Sequence, residues 1–352
     1  EKYGDDAIYK DGLKIYTTLD MDAQNAAVAA MQNLPNYYTD KNGLHQPQGA
    51  IVAMNPHNGY IVAMVGGRGD DSFNRATQAE RQPGSTMKPF VYLAAIQSGK
   101  TPGSIVDDSP VSFGSWSPKN YENDYEGKIT YRYALQHSRN VAAVKIADEV
   151  GMTKVIKLAK EMGISTLTDQ DYNLSTALGG LTHGVTPLEM VQAYGVLANG
   201  GIKVQPTAIL KIVDRNGQVV EENSIQEKRV VDEKDAAIIT NMLESVINGG
   251  TGGNAAIGRP AAGKTGTTDD SKDAWFVGYT PDLVAAVWIG DDYGSETLHG
   301  ITGGTTPAIM WGQFMANALA NTPASDFSVP ASAQAAISEG YFNPVKVQPK
   351  KE

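Results

Sequence analysis

The feature that most constrains the fold is a pair of short apolar runs near each end of the chain. One pair lies in GAIVAMNPHNGYIVAMVGG (residues 49–67) and the other in AWFVGYTPDLVAAVWIG (residues 274–290). Turn-forming residues interrupt each pair, at 55–59 and at 280–282, and this pattern predicts a β-hairpin in each place. The two hairpins together predict an antiparallel sheet assembled from both ends of the chain.

The region between the hairpins, about residues 84–255, is dominated by helical periodicity. It contains YRYALQHSRNVAAVKIADEV, MTKVIKLAKEMG, TPLEMVQAYGVLANGG and EKDAAIITNMLESVING, and a final helix is predicted at about 306–321. This order is typical of an α+β fold, with a central antiparallel sheet packed with helices and a mainly helical lobe. We expect the active site in the cleft between the sheet and the lobe.

The two ends of the chain are interpreted differently from the centre. Residues 1–47 are expected to approach the core without starting it, through a strand in LKIYTTLD and a helix capped by Asp20 or Asp22. Residues 322–352 are rich in Pro, Ala and Ser and predict a tail. The chain opens on Glu1 without a leader, which we interpret as a processed or recombinant form.

Composition excludes several classes of function. The net charge is −10, and the acidic residues are scattered, which argues against nucleic acid as a partner. The sequence has no run of about 20 apolar residues, so no membrane span is predicted. The absence of cysteine excludes disulfides and thiolate metal sites. No metal or cofactor is expected, because the histidines lack metal-ligand spacing. They are His45, His57, His137, His183 and His299.

Ser85 and Lys88 lie three residues apart in RQPGSTMKPF, at the head of a predicted apolar helix, so their side chains share a face. A serine is a weak nucleophile and needs a neighbouring base. Lys88 can take its proton only if the lysine is neutral, and burial or a second cation, for which Lys264 is the candidate, would lower its pKa. Gly84 would let the chain turn sharply, so that the Ser85 N–H faces a developing oxyanion.

Two further motifs are Ser138-Arg139-Asn140, inside a helical stretch, and Lys264-Thr265-Gly266-Thr267, just before the C-terminal hairpin. Ser138 and Asn140 would diverge on a regular helix, so a loop or helix end is predicted there. His137 leaves open a serine–histidine pair with Ser138, and Arg139 has no assigned role.

In this order the three motifs resemble the signature of penicillin-binding proteins and β-lactamases. The phrases RQPGSTMKPF, ITYRYALQHSRNVAAVKIADEVG, ALGGLTHGVTPLEMVQAYGVLANGG and AAGKTGTTDDSKDAWFVGYTPDLVAAVWIGDD extend the resemblance over roughly residues 48–321. The chain resembles the transpeptidase domain of a class A (bifunctional) penicillin-binding protein, with a β-lactamase/transpeptidase-like fold. By this resemblance, residues 1–47 are the connector from a glycosyltransferase region absent from the chain. A membrane anchor, also absent, would hold the protein on the extracytoplasmic face of the bacterial membrane.

The resemblance also implies roles for the motif residues. Ser85 would attack a peptidoglycan stem peptide ending in D-Ala-D-Ala, or a β-lactam, and an acceptor amine would take the acyl group. Lys88 would be the base, Ser138 would pass a proton to the leaving amine, and the N–H groups of Ser85 and Thr267 would form the oxyanion hole. The residues that would bind substrate are Asn140, which would hold the amide, and Lys264, Thr265, Gly266 and Thr267, which would hold the carboxylate and the peptide.

Other functions stay open at this stage. With water as the acceptor the same site would be a D,D-carboxypeptidase or a β-lactamase, and a site that acylates without turnover would suit a sensor or scaffold. The stretch from Asp169 to Asn173 has the spacing of a β-lactamase base and asparagine, with aspartate replacing glutamate, and we interpret it as coincidence.

Several aromatic and glycine-rich stretches have plainer interpretations. Trp116, Tyr121 and Tyr125 are predicted either to line the mouth of the cleft or to pack on a loop. Trp275 and Trp288 are predicted to lie in the core, and GGTGGN (residues 249–254) is interpreted as a flexible connection.

Overall fold

The computed structural model describes residues 12–294 and 296–341, so parts of the predicted connector and tail, residues 1–11 and 342–352, lie outside the described residues. The strands are β1 (Lys14–Thr17), β2 (Tyr38–Thr39), β3 (His45–Gln46), β4 (Gln48–Met54), β5 (Ile61–Val65), β6 (Ile105–Asp107), β7 (Lys128–Thr130), β8 (Ile202–Val204), β9 (Ile209–Val213), β10 (Val219–Glu222), β11 (Glu227–Arg229), β12 (Ala262–Thr267), β13 (Asp273–Tyr279) and β14 (Val284–Gly290). The helices are α1 (Met21–Met31), α2 (Arg75–Gln78), α3 (Lys88–Gln97), α4 (Tyr131–Gln136), α5 (Asn140–Val150), α6 (Met152–Met162), α7 (Pro187–Ala198), α8 (Glu233–Gly249), α9 (Thr306–Ala318) and α10 (Gln334–Ile337).

The central sheet has five antiparallel strands in the order β12-β13-β14-β4-β5. The N-terminal hairpin supplies β4 and β5, and residues 262–290 supply the other three strands. The two parts join between β4 and β14, where Ile51 lies opposite Val287. The predicted sheet built from both ends of the chain is therefore confirmed, and β12 lies at its edge.

Both faces of this sheet are buried at its centre, because alternate side chains of β13, β14 and β4 enter two different hydrophobic clusters. On β14, Ala286 and Trp288 belong to the core shared with the helical lobe, whereas Val287 and Ile289 pack with α1 and α9. Trp275 and Trp288 are fully buried, as predicted. The sheet is thus the middle layer of the molecule.

Helix α3 runs through the centre of the helical lobe. Every residue from Lys88 to Ile96 is buried, and α3 packs against α5, α6 and α8. Such a helix is apolar nearly all round, which is typical of a fully buried helix. Its first residue is consequently removed from solvent, although that residue is a lysine.

The expectation that residues 1–47 only approach the core is wrong for α1. Ala23, Ala27 and Met31 are buried in the second hydrophobic cluster, against the outer face of the sheet. The predicted cap at Asp20 is confirmed, since its side chain accepts from the N–H groups of residues 22 and 23.

The predicted tail is also part of the packed structure over residues 322–341, which are called the C-terminal segment below. Phe327 and Val329 pack against the core of the lobe. The guanidinium of Arg132, fully buried on α4, donates to the carbonyl oxygens of Ile337 (2.7 Å) and Glu339 (2.8 Å). These contacts tie the segment to the helix that precedes the Ser138 motif.

The middle of the chain also contains short strands that helical periodicity did not predict. β6 pairs with β7, β8 pairs with β11, and β9 lies between β1 and β10. These strands have at most five residues and include many exposed side chains. Within the described part of the chain, no helix combines the length and the apolar character needed to cross a membrane.

Candidate active site

The three motifs meet in one cleft with a volume of about 390 Å³. Ser85 lies in the 3₁₀ turn Gly84–Met87 before α3, Ser138 lies between α4 and α5, and Lys264 lies on the edge strand β12. The predicted residues that line the cleft are Ser85, Ser138, Asn140, Thr265 and Thr267. The predicted site residues from distant parts of the sequence are therefore neighbours.

Two glycines allow the Ser85 turn to pack backbone against backbone on β12. Gly84 has φ +54°, and a Cβ atom on it would lie 2.8 Å from the carbonyl oxygen of Thr267. A Cβ atom on Gly266 would lie 2.5 Å from the carbonyl oxygen of Pro83. Real Cβ atoms do not come this close, so Gly266 is required for contact with the Ser85 turn, whatever its use at the strand edge. The main chains of Ser85 and Thr267 are consequently held side by side.

Lys88 is fully buried, and its Nζ lies within the second motif. It donates to the carbonyl oxygen of Ser138 (2.6 Å), to Oδ1 of Asn140 (2.6 Å) and to Oγ of Ser138 (3.1 Å). No hydrogen bond joins it to Ser85 among the described residues. Burial lowers the pKa of Lys88 well below its usual value, and the nearby charge of Lys264 lowers it further.

Lys264 is also fully buried, and its Nζ donates to the same Oγ of Ser138 at 2.8 Å. Burial lowers the pKa of Lys264 to about 7. A serine hydroxyl has two acceptor lone pairs and one proton to donate. When both lysines donate to Oγ of Ser138, the hydroxyl can donate its own proton to a third group. The two amines and the hydroxyl therefore form a connected path for proton transfer.

Ser138 adopts an unusual backbone conformation, with φ +53°. α4 ends at Gln136, and α5 begins at Asn140, so the predicted helix break is confirmed. A left-handed residue after a helix is usually glycine, and a serine there costs roughly 1 kcal/mol or more. This strained turn places both Ser138 and Asn140 against Lys88, which a continuous helix would not do.

The structure assigns Arg139 a contact that the sequence did not indicate. Its Nε donates to Oδ2 of Asp108 at 2.8 Å, and its Nη1 donates to Oδ1 of Asp124 at 3.0 Å. Arg139 is 7% exposed, and Asp108 is fully buried. The ion pairs fasten the loop of residues 108–126 to the second motif.

A wall of threonines closes the cleft beside β12. Oγ1 of Thr251 lies 2.7 Å from Oγ1 of Thr265, and Oγ1 of Thr267 accepts from the N–H of Gly303 at 3.0 Å. Thr251 comes from the stretch interpreted as a flexible connection, which here is a turn hydrogen-bonded to Gln136. The lining residues that the sequence did not single out include Asn120, Glu122, Leu178, Thr251, Asp269, Thr302, Gly304 and Thr305.

The remaining candidates near the cleft have other contacts. The ring of His137 packs on Tyr133 with centroids 4.2 Å apart, and among the described residues no hydrogen bond joins His137 to Ser138. Of the three loop aromatics, Tyr121 lines the cleft, and Trp116 packs on Phe113. Tyr125 is half-buried outside the lining set.

Asp169 does not face the cleft. It is exposed in the 3₁₀ turn Asp169–Asp171, and Asn173 caps the next 3₁₀ turn through its side chain. Leu178 is the lining residue that this part of the chain contributes. Within residues 12–294 and 296–341, no group of three or more acidic or histidine side chains is placed to hold a metal ion.

Comparison with known proteins places this arrangement in a family. The sequence-family model described as the penicillin binding protein transpeptidase domain matches residues 49–297. Penicillin-binding protein 1A of Aquifex aeolicus (strain VF5) is 40% identical over 292 residues, which are 80% of this chain and 40% of that protein. Penicillin-binding protein 1A of Neisseria gonorrhoeae is 39% identical over 314 residues, 84% of this chain and 39% of that protein. The chain thus spans about 40% of the length of these curated relatives.

Solved structures agree with the family match. The penicillin-binding protein PonA1 of Mycobacterium tuberculosis superposes with a TM-score of 0.84 at 29% identity, covering 100% of this chain and 95% of that one. PonA1 in complex with penicillin V gives a TM-score of 0.81 at 30% identity, covering 94% and 91%. The expected fold class, that of penicillin-recognising transpeptidases, is confirmed.

The depressed pKa of Lys264 predicts a pH-dependent stability. A lysine in the unfolded chain titrates near 10.5 and Lys264 in the folded protein near 7, so between these values the unfolded state binds the extra proton. The free energy of unfolding therefore rises with pH across this window, by at most about 1.4 kcal/mol per pH unit from this group. Relative to Lys264→Met, the wild-type protein should gain about 2 kcal/mol between pH 7 and pH 9 in urea denaturation. Parallel pH profiles for the two proteins would contradict the shift.

Arg139→Met should lower the free energy of unfolding by roughly 3 kcal/mol, because it leaves the carboxylate of Asp108 buried without its cation. Adding Asp108→Asn should recover part of the loss, since the unpaired charge is then removed. Lys157→Met, which breaks an exposed pair with Glu161, is the matched control and should cost less than about 1 kcal/mol. Equal losses in the two single variants would show that the Arg139 pair behaves as a surface pair.

Proposed function

Because this chain belongs to the penicillin-binding protein transpeptidase family, we propose that it is a serine D,D-transpeptidase that cross-links peptidoglycan. The substrate is a stem peptide ending in D-Ala-D-Ala, and β-lactams acylate the same serine. The observation that carries the proposal is the convergence of two buried lysines on Ser138, in the cleft that Ser85 lines. This arrangement supplies a nucleophile, a neutral base and a proton path in one site.

In the acylation step, Oγ of Ser85 attacks the carbonyl carbon between the two D-alanines. The serine proton passes to Lys88 in its neutral form, which burial favours by lowering the pKa of this lysine. The developing oxyanion accepts from the N–H groups of Ser85 and Thr267, which the glycine contact holds side by side. The C–N bond breaks as the ester on Ser85 forms.

The leaving amine needs a proton before D-alanine departs. The hydroxyl of Ser138 supplies it and is reprotonated from Lys88, the group that took the serine proton, through their hydrogen bond. Lys264 and the hydroxyls of Thr265 and Thr267 bind the terminal carboxylate, and Asn140 binds the substrate amide. The acceptor amine then attacks the ester, forms the new amide and returns the proton to Ser85 through the same groups.

Three other functions could use the same acyl-serine: a D,D-carboxypeptidase, a β-lactamase, and a sensor or scaffold that does not turn over. A D,D-carboxypeptidase would transfer the acyl group to water, and a sensor or scaffold would retain it. A β-lactamase needs a base that activates water beside the ester. The exposed position of Asp169 outside the cleft disfavours that alternative.

The domain assignment and location belong to the same proposal. Residues 48–321 form the transpeptidase domain, with α1, Phe327 and Val329 packed on it, and residues 1–47 connect it to a preceding glycosyltransferase region. The enzyme acts on the extracytoplasmic face of the bacterial membrane, where peptidoglycan is assembled.

Ser85→Ala should abolish covalent labelling by penicillin, because the proposal assigns the attack to Oγ of Ser85 alone. Mass spectrometry of the intact protein gives the adduct, and peptide mapping gives its position.

Lys88→Arg should acylate more slowly by about two orders of magnitude or more, since a guanidinium keeps its proton near neutral pH. Unchanged circular dichroism serves as the folding control, and full labelling of Ser85→Ala would refute the assignment.

Turnover separates the related functions. With a D-Ala-D-Ala peptide and an acceptor amine, the wild-type protein should form the new amide, whereas release of D-alanine alone would support the carboxypeptidase.

Asp169→Asn should leave the lifetime of the penicilloyl adduct unchanged, because Asp169 lies outside the cleft. The decay of the adduct can be followed by mass spectrometry in both proteins over the same hours. A rapid release of penicilloic acid by the wild-type protein, lost in the variant, would establish the β-lactamase alternative.

A further inference from the structure

Asn120 is a buried polar residue of the cleft with no role in the three motifs. It is 4% exposed, lines the cleft and lies on the loop that Arg139 fastens. We propose that Asn120 is a positioning residue for acylation, acting through Asn140 on Lys88. The inference rests on the proposed function, because it concerns the rate at which Ser85 is acylated.

The side chain of Asn120 caps helix α5 from another part of the chain. Its Oδ1 accepts from the backbone N–H of Asn140 at 2.8 Å and of Val141 at 3.1 Å. The first N–H groups of a helix lack partners within the helix. The residue at the usual capping position, Arg139, makes no side-chain cap, because a guanidinium has no acceptor to offer the helix N–H groups. Asn120 supplies the missing acceptor.

This cap fixes the residue that receives Lys88. Asn140 donates its Nδ2 to the carbonyl oxygen of Lys119 at 2.9 Å, and its Oδ1 accepts from Nζ of Lys88 at 2.6 Å. Residues 119 and 120 therefore hold both the backbone and the amide group of Asn140. A shift of Asn140 would move one of the three acceptors that orient Nζ of Lys88.

The amide of Asn120 can lie in one orientation only. Its Nδ2 donates to both carboxylate oxygens of Asp108, each at 3.0 Å, and to the carbonyl oxygen of Asp124 at 2.8 Å. A flipped amide would place its oxygen against these three acceptors and its N–H groups against the helix donors. An aspartate would keep the cap, but it would set a second carboxylate against that of Asp108. Only an asparagine satisfies both sides.

The test is a double-mutant cycle between Asn120→Ala and Asn140→Ala. The measured quantity is the rate constant for acylation by a fluorescent penicillin, at a temperature where each variant is folded. Asn120→Ala should slow acylation by roughly tenfold to a hundredfold, the loss expected from a displacement of about 1 Å. In the Asn140→Ala background the same change should cost less than about threefold, because the side-chain amide through which the cap acts on Lys88 is gone. A purely stabilising role would lower the melting temperature equally in both backgrounds and would not produce this coupling.

The control is Asn74→Ala, which removes another helix-capping asparagine, at α2 and away from the cleft. Its acylation rate should equal that of the wild-type protein. If Asn120→Ala fails to fold, Asn120→Ser replaces it in the cycle and should slow acylation by a similar factor, because its shorter side chain cannot bridge Asp108 and the helix N–H groups.

The outcomes separate the two levels of the argument. A wild-type protein that forms no adduct on Ser85 refutes the proposed function and the inference together. If the wild-type protein is acylated on Ser85, then an Asn120 variant within about threefold of its rate, or additive losses in the cycle, overturns the inference alone.

Discussion

The site depends on two buried lysines that share one hydroxyl at the cleft surface. Nζ of Lys88 and Nζ of Lys264 both donate to Oγ of Ser138, and both side chains are fully buried. Burial lowers the pKa of both lysines, and the charge of Lys264 lowers that of Lys88 further, so the folded state favours the loss of a proton. The large core on both faces of the sheet offsets the cost of keeping the two amines from water, and this buried geometry leaves an amine able to act as a base.

The three motifs are held in place by different means. The Ser85 turn and β12 are locked by direct main-chain packing, which Gly84 and Gly266 permit. The Ser138 turn has a strained backbone and is held from outside, by the loop that carries Asp108 and Asn120. The first contact fixes the Ser85 turn relative to Thr267, and the second fixes Lys88 relative to its hydrogen-bond acceptors.

The sequence predicted the parts of the molecule that have local patterns. Both hairpins, the long helices, the helix break before Asn140 and the motif residues could be predicted, because apolar periodicity, turn residues and short spacings are visible in the letters. The contact of Arg139 with Asp108 could not, since an ion pair across 31 residues leaves no periodic signal. The C-terminal segment was missed because main-chain carbonyls bind Arg132 there, and any residue carries a carbonyl.

The sheet built from both ends of the chain also constrains the order in which the molecule can be completed. β4 cannot pair with β14 until β14 has been synthesised. The neighbouring hydrogen bond of Gln46 with Asp292 likewise joins residues 246 positions apart. During synthesis the N-terminal hairpin is a two-stranded ribbon, which is marginally stable by itself in water. Helix α1 can cover one face of this hairpin, but the edge of β4 has no strand partner until nearly the whole domain has been made. The strand that carries Lys264 is therefore added among the last, and until then the nascent chain holds Ser85 and Lys88 without the third motif of the cleft.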